Sequence, residues 1–152
     1  MKLLERTISL LAPFSCLVCG DEGSPLCQGC AVDAFEAIPS TCYICNKLSN
    51  NFRVCNDCER RSALLHVWVA SNYDGVAKQL VRGLKYDRRR AYAVTIAEIL
   101  DDALPYFAKP PILTHLPTTT IRRRKRGFDH AALVARELSR LRRWDYLPLL
   151  RR

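Results

Sequence analysis

At 152 residues, with 24 Lys and Arg against 15 Asp and Glu, a formal net charge of +9 and eight cysteines, the chain has room for one ordinary domain or for a small metal-held module followed by a short second one. No apolar run approaches the roughly 20 residues that a bilayer-crossing helix needs, which excludes a membrane-spanning helix. Charge is split along the chain: residues 1–60 carry five basic and seven acidic side chains, a net of −2, and residues 61–152 carry nineteen and eight, a net of +11. A basic second half implies a polyanionic partner or a phosphorylated ligand, with a plain solvated surface as the alternative.

In chain order, residues 2–12 are predicted to form a short amphipathic helix, with Leu4, Ile8 and Leu11 on one face and Pro13 ending it. Its apolar run, residues 8–12, is too short for a clear export signal, and reduced thiols without export point to the cytoplasm.

All eight cysteines then fall within residues 16–58, each in a Cys-x-x-Cys pair: Cys16/Cys19, Cys27/Cys30, Cys42/Cys45 and Cys55/Cys58. Two residues between thiols is the knuckle spacing, in which a tight turn aims two thiolates at one tetrahedral zinc ion. Four knuckles supply eight ligands, enough for two closed and therefore structural zinc sites. A disulfide framework would suit an exported protein, and an iron–sulfur reading would want a tighter run of cysteines. A thioredoxin-like motif would want one pair in a βαβ setting. Short gaps cost less loop-closure entropy, so consecutive knuckles are expected to share a metal. With few large apolar residues here, metal binding should supply much of the folding free energy. Residues 31–38 can form a helical turn or two, ended by Pro39-Ser40.

Beyond Cys58 the pattern is that of an α/β protein. Residues 64–72 are rich in strand formers and are expected as a strand. Tyr73-Asp74-Gly75 turns into a helix with Asp74 as N-cap, an apolar stripe of Val76, Leu80 and Leu84, and Lys78, Arg82 and Lys85 on another face. A helix over 91–104 should bury Ile96, Leu100 and Ala103 before Pro105. Residues 111–117 are expected as a strand and 118–127 as a loop. A last helix, capped by Asp129 and running to about residue 143, has Phe128 and Leu133 placed for a hydrophobic staple. Its buried stripe should be Val134, Leu138 and Leu141, and its exposed one Arg136, Arg140 and Arg143. The three histidines, His66, His115 and His130, are most simply packing or surface residues.

The segment at 117–127 is the best candidate for a ligand. A strand end leading into a helix N-terminus is where open α/β sheets bind ligands. Five consecutive cations, Arg122, Arg123, Arg124, Lys125 and Arg126, would favour a phosphate group there, unless the run is only a solvated face.

The order of these features resembles the ComF family: an N-terminal helix, four knuckles, Tyr73-x-Gly75, Lys85-Tyr86, a strand ending in Leu116-Pro117, and Arg122-x-x-x-Arg126-Gly127-Phe128. Where the family continues Asn-Gln, this chain has Asp129-His130. The resemblance implies a double zinc ribbon at 1–60 followed by an incomplete type I phosphoribosyltransferase-like α/β domain at 61–152. It also implies a role in natural competence, in DNA uptake or single-stranded DNA handling, with proteins of a DNA-uptake machinery as partners. Phosphate or nucleic-acid contact is assigned to Lys85, Arg122, Arg124, Arg126 and Gly127. Phosphoribosyltransferases of this type hold the ribose phosphate with two acidic residues followed by Thr-Thr-Gly. Neither Asp101-Asp102 nor Thr118-Thr119-Thr120 has that context, so this chain alone is expected to be inactive, and roughly seventy to ninety further residues would complete such a domain. A phosphoribosyltransferase whose catalytic part is missing, and a zinc-ribbon adaptor for nucleic acid or protein, are the alternatives.

Overall fold

The computed structural model describes residues 14–152; the helix expected over 2–12 lies outside them. Two cysteine ribbons come first, and they are built alike. In each, the residue before the first cysteine makes an antiparallel bridge across the turn, Ser15 to Glu22 and Thr41 to Leu48. The residue after the second cysteine takes the left-handed conformation, Gly20 at φ 82° and Asn46 at φ 57°. Its N–H donates back to the carbonyl of Cys16 (3.0 Å) or Cys42 (2.8 Å), which closes the knuckle. Glycine and asparagine are the residues that tolerate this backbone. The second knuckle of each ribbon instead opens a short helix: Cys27 is the N-cap of α1 (Gln28–Ala34) and Cys55 that of α2 (Asn56–Glu59). Helix α1 therefore starts ahead of the helical turns expected at 31–38.

The expected strand at 64–72 is reduced to a short contact on the second ribbon. Arg53 bridges His66, with the Val54 amide donating to the Leu65 carbonyl at 2.8 Å and the Val67 amide to Phe52 at 3.1 Å. Strand propensity needs a neighbour to become a strand, and here Leu64, Leu65 and Val69 stay exposed.

Three longer helices follow the sequence periodicity. They are α3 (Gly75–Tyr86), α4 (Tyr92–Ala103) and, after the short α5 (Thr120–Arg126), α6 (His130–Arg142). Helix α4 packs chiefly on α6 and more lightly on α3. The main core is Leu80, Leu84, Tyr92, Ala93 and Phe128, with Phe14 and Leu17 of the first ribbon packed against it. The buried face of α4 is displaced toward its start: Tyr92, Ala93, Thr95 and Ala97 are buried, whereas Leu100 and Ala103 are half-buried. Gly83 is the reason Tyr92 fits, since a Cβ there would lie 2.5 Å from its ring. On α6, Ala135 and Leu138 are buried and Leu141 is exposed. Asp74 occupies the N-cap of α3 without a side-chain cap bond.

The α/β character beyond the ribbons is confined to one pairing. Leu113 makes a parallel bridge with Tyr146, supported by the Leu113 amide on the Asp145 carbonyl (2.8 Å) and the Leu147 amide on the Leu113 carbonyl (2.9 Å). Helices α5 and α6 form the crossover between these segments, which is the connection a parallel pair requires. Among the described residues the fold is mixed helical, and its β structure consists of isolated bridges.

Candidate metal centres and a cation-lined cavity

The ribbons gather the cysteines by sequence order. Cys16, Cys19, Cys27 and Cys30 form one set and Cys42, Cys45, Cys55 and Cys58 the other, with the sulfurs of each within 4.8 Å of one another. None is in a disulfide. A tetrahedral zinc with Zn–S near 2.3 Å sets neighbouring sulfurs about 3.8 Å apart. The Sγ atoms of Cys19 and Cys27 are 3.8 Å apart, and those of Cys45 and Cys55 3.6 Å. The two sets therefore fit a four-thiolate ion.

Their acidities point the same way. The N–H of Cys19, followed by those of Cys27 and Val18, holds the Cys16 thiol down to about 6. The Cys55 N–H does the same for Cys42, also to about 6, against the opposing effect of burial. The hydrogen-bonded neighbour Cys27, and then Cys19, pushes Cys30 up to about 12. Burial, followed by Cys45, pushes Cys55 up to about 12. Each set thus holds a ready thiolate beside thiols that resist ionising next to it, and a divalent cation supplies the missing counter-charge.

The surroundings of the two sets differ. Around the second, Arg61 donates to the Cys58 sulfur at 3.5 Å. Lys47, held 3.5 Å from Asp57, is made more basic by that carboxylate first and then by Cys45 and Cys55. The first set has an exposed member, Cys19, with the carboxylate of Asp21 beside it.

The basic segment is a helix, not the expected loop. Thr119 caps α5 by accepting the Arg122 N–H at 3.4 Å, and Gly127, at φ 83°, ends it by donating to the Arg123 carbonyl at 2.8 Å. Four cations in its last turn suit the negative end of the helix dipole. Helical winding spreads the run around an axis, so its members separate. Lys85, Arg122 and Arg126 line a cavity of about 650 Å³, Arg124 does not, and Gly127 serves as the turn between α5 and α6.

Arg88 and Arg152, which sequence reasoning missed, also line this cavity, as do Tyr86, Thr118 and His130. The Arg88-Arg89-Arg90 run was the available signal. Arg126 is well anchored: its guanidinium lies 5.3 Å over the Tyr86 ring and is 3.1 Å from His130 Nδ1. That contact makes Nδ1 an acceptor, so the ring is neutral with its proton on Nε2. Burial, then Lys85, Arg126 and Arg122, pushes the His130 pKa down.

The first amides of α6 are already bonded within the chain. Asp129 Oδ1 already accepts the Ala131 and Ala132 amides at 3.0 and 3.3 Å, and Oδ2 the Thr118 amide at 2.8 Å. Its carboxylate fills the place an anion would take. His115, bonded through Nδ1 to the Tyr146 hydroxyl at 2.8 Å, stands 3.8 Å from the same carboxylate and ties the crossover to both extended segments.

Compared with family models, curated proteins and solved structures, the chain matches none.

Proposed function

We propose that this chain is a ComF-like protein in which two structural zinc ions hold a double ribbon and a basic cavity grips the phosphate backbone of single-stranded DNA during DNA uptake or related DNA handling in the cytoplasm. The observation that carries this reading is the cavity itself: Lys85, Arg88, Arg122, Lys125, Arg126 and Arg152 line it, and among the described residues no Asp or Glu side chain does. A concave, single-sign surface focuses its field and attracts a polyanion.

Binding through such contacts is sequence-tolerant and weakens with salt, because it releases counterions. In a fluorescence-anisotropy salt series with an oligothymidine, replacing Lys85, Arg122 and Arg126 together by Ala should flatten the log K against log salt slope by about 2. Arg124→Ala should change it less than Arg122→Ala. Equal binding by wild-type and triple-variant protein across the series would remove the cavity as the contact surface.

A second reading, a small phosphorylated ligand of the phosphoribosyl type, draws support from the position of the cavity beside Leu116, Pro117 and Thr118, where the parallel-paired segment ends. Calorimetry should give no tight binding of phosphoribosyl pyrophosphate. Magnesium-dependent micromolar binding would move the function to this class.

A further inference from the structure

We infer that the two four-cysteine sites differ in kind: the first is a responsive site that releases its zinc on oxidation, and the second is permanent. This rests on the zinc reading above.

Access differs first. In the first set Cys19 is exposed and only Cys16 is buried. In the second, Cys42 and Cys58 have 0 % and 1 % of their surface accessible and lie in a small core with Val54 and Ile44.

Charge differs in the same direction. A zinc ion with four thiolates keeps two net negative charges, which makes its sulfurs electron-rich unless hydrogen-bond donors or cations offset them. The second site has the Arg61 guanidinium on the Cys58 sulfur, and Lys47 near Cys45 and Cys55 offsets the Asp57 carboxylate of that knuckle. Among the described residues no cation donates to a sulfur of the first set. Asp21 and Glu22 follow Cys19 instead, and the Asp21 carbonyl holds the Cys16 amide at 2.8 Å, which keeps that acidic turn on the knuckle.

The first site is also the one connected to the main core. Leu17, inside its first knuckle, and Phe14 pack on the cluster of Leu80, Leu84, Tyr92 and Phe128, with the Phe14 and Tyr92 rings edge to face at 6.3 Å. Phe128 directly follows the Gly127 turn that ends α5, and the Arg90 guanidinium sits 4.9 Å over its ring. Opening the first knuckle withdraws Phe14 and Leu17 from that core. Opening the second disturbs a separate core.

The chemistry balances with a peroxide as oxidant. The thiolates of Cys19 and Cys27, 3.8 Å apart, give up two electrons and form one S–S bond. The O–O bond breaks, and with two protons from solvent yields two waters. The zinc, left with two thiolates, departs.

The test titrates the two-zinc full chain with hydrogen peroxide at neutral pH, following zinc release with a colorimetric chelator and mapping oxidised cysteines by mass spectrometry. The first zinc equivalent should leave about tenfold faster than the second, a ratio in the range that changes around metal ligands produce. The early disulfide should map within Cys16, Cys19, Cys27 and Cys30, with amide exchange rising in α3 and α4 before residues 42–58. Asp21→Asn, a surface change, should slow the first release, and Arg61→Ala should speed the second. Simultaneous loss of both ions, or earlier oxidation of the second set, overturns the inference while leaving the zinc reading intact. Fewer than two zinc ions per chain at the outset overturns both.

Discussion

His130 shows how one residue reports on a charged site. It is half-buried at the start of α6, faced by Lys85 from α3 and by Arg122 and Arg126 from α5, with Asp129 as an opposing charge. Its folded pKa is below the ordinary 6.5, chiefly through burial and then through these cations. Above that value the ring is neutral in both folded and unfolded chains and has no effect on stability. As pH falls through 6.5 the unfolded chain takes up the proton first, so stability declines until the lower folded pKa is reached and then levels. Urea midpoints measured from about pH 8 to about pH 5 should fall further for wild type than for His130→Gln. Parallel curves would mean that the ring does not sense the cations around it.

At the scale of elements, Arg142 joins α6 to the end of α4. Its guanidinium donates to the Asp101 carboxylate and carbonyl, to the Leu104 carbonyl at 2.8 Å and to the Pro105 carbonyl at 2.7 Å, and it lies 5.1 Å from the centre of the Trp144 ring. The last carbonyls of a helix have no partner within it, and a planar fork with several donors serves them at once. Arg142→Ala should lower stability by about 2–3 kcal/mol, the scale of hydrogen bonds to a charged group. Arg142→Lys should recover less than half of that in a urea titration, because one ammonium cannot reach the same set of acceptors. Full recovery by Lys would reduce the interaction to simple charge.

At the scale of the molecule, the four-cysteine clusters and apolar burial organise different parts. The ribbons have one small core, Cys42, Val54 and Cys58 with their neighbours, whereas α3, α4 and α6 share a larger apolar one. Structural zinc is worth on the order of 10–16 kcal/mol in comparable small modules. Removing zinc with a chelator should abolish amide protection across residues 15–58. Protection in α4 should be reduced but retained, because it loses only the Phe14 and Leu17 contacts. Ribbons that stay protected after chelation would show that they fold without metal.

The two cysteine sets were legible because knuckle spacing is local: a two-residue gap decides which thiols converge, and short loops decide which knuckles meet. Helices α3, α4 and α6 were legible for a similar reason, since a 3.6-residue apolar period, the Asp129 cap and the Phe128/Leu133 staple act within a few turns. Helix α5 was not, because a run of cations has no apolar stripe and its order depends on the Thr119 and Gly127 caps. The segment at 64–72 has side chains suited to a sheet, yet strands exist only through partners brought from elsewhere in the chain. The burial shift on α4 likewise follows from Gly83 on another helix admitting the Tyr92 ring. Sequence by itself determined the elements and cysteine groupings whose causes lie within a turn or two. Tertiary structure alone decided which cations share a cavity and which cysteine set has an exposed member, because both depend on surfaces that residues distant in sequence complete.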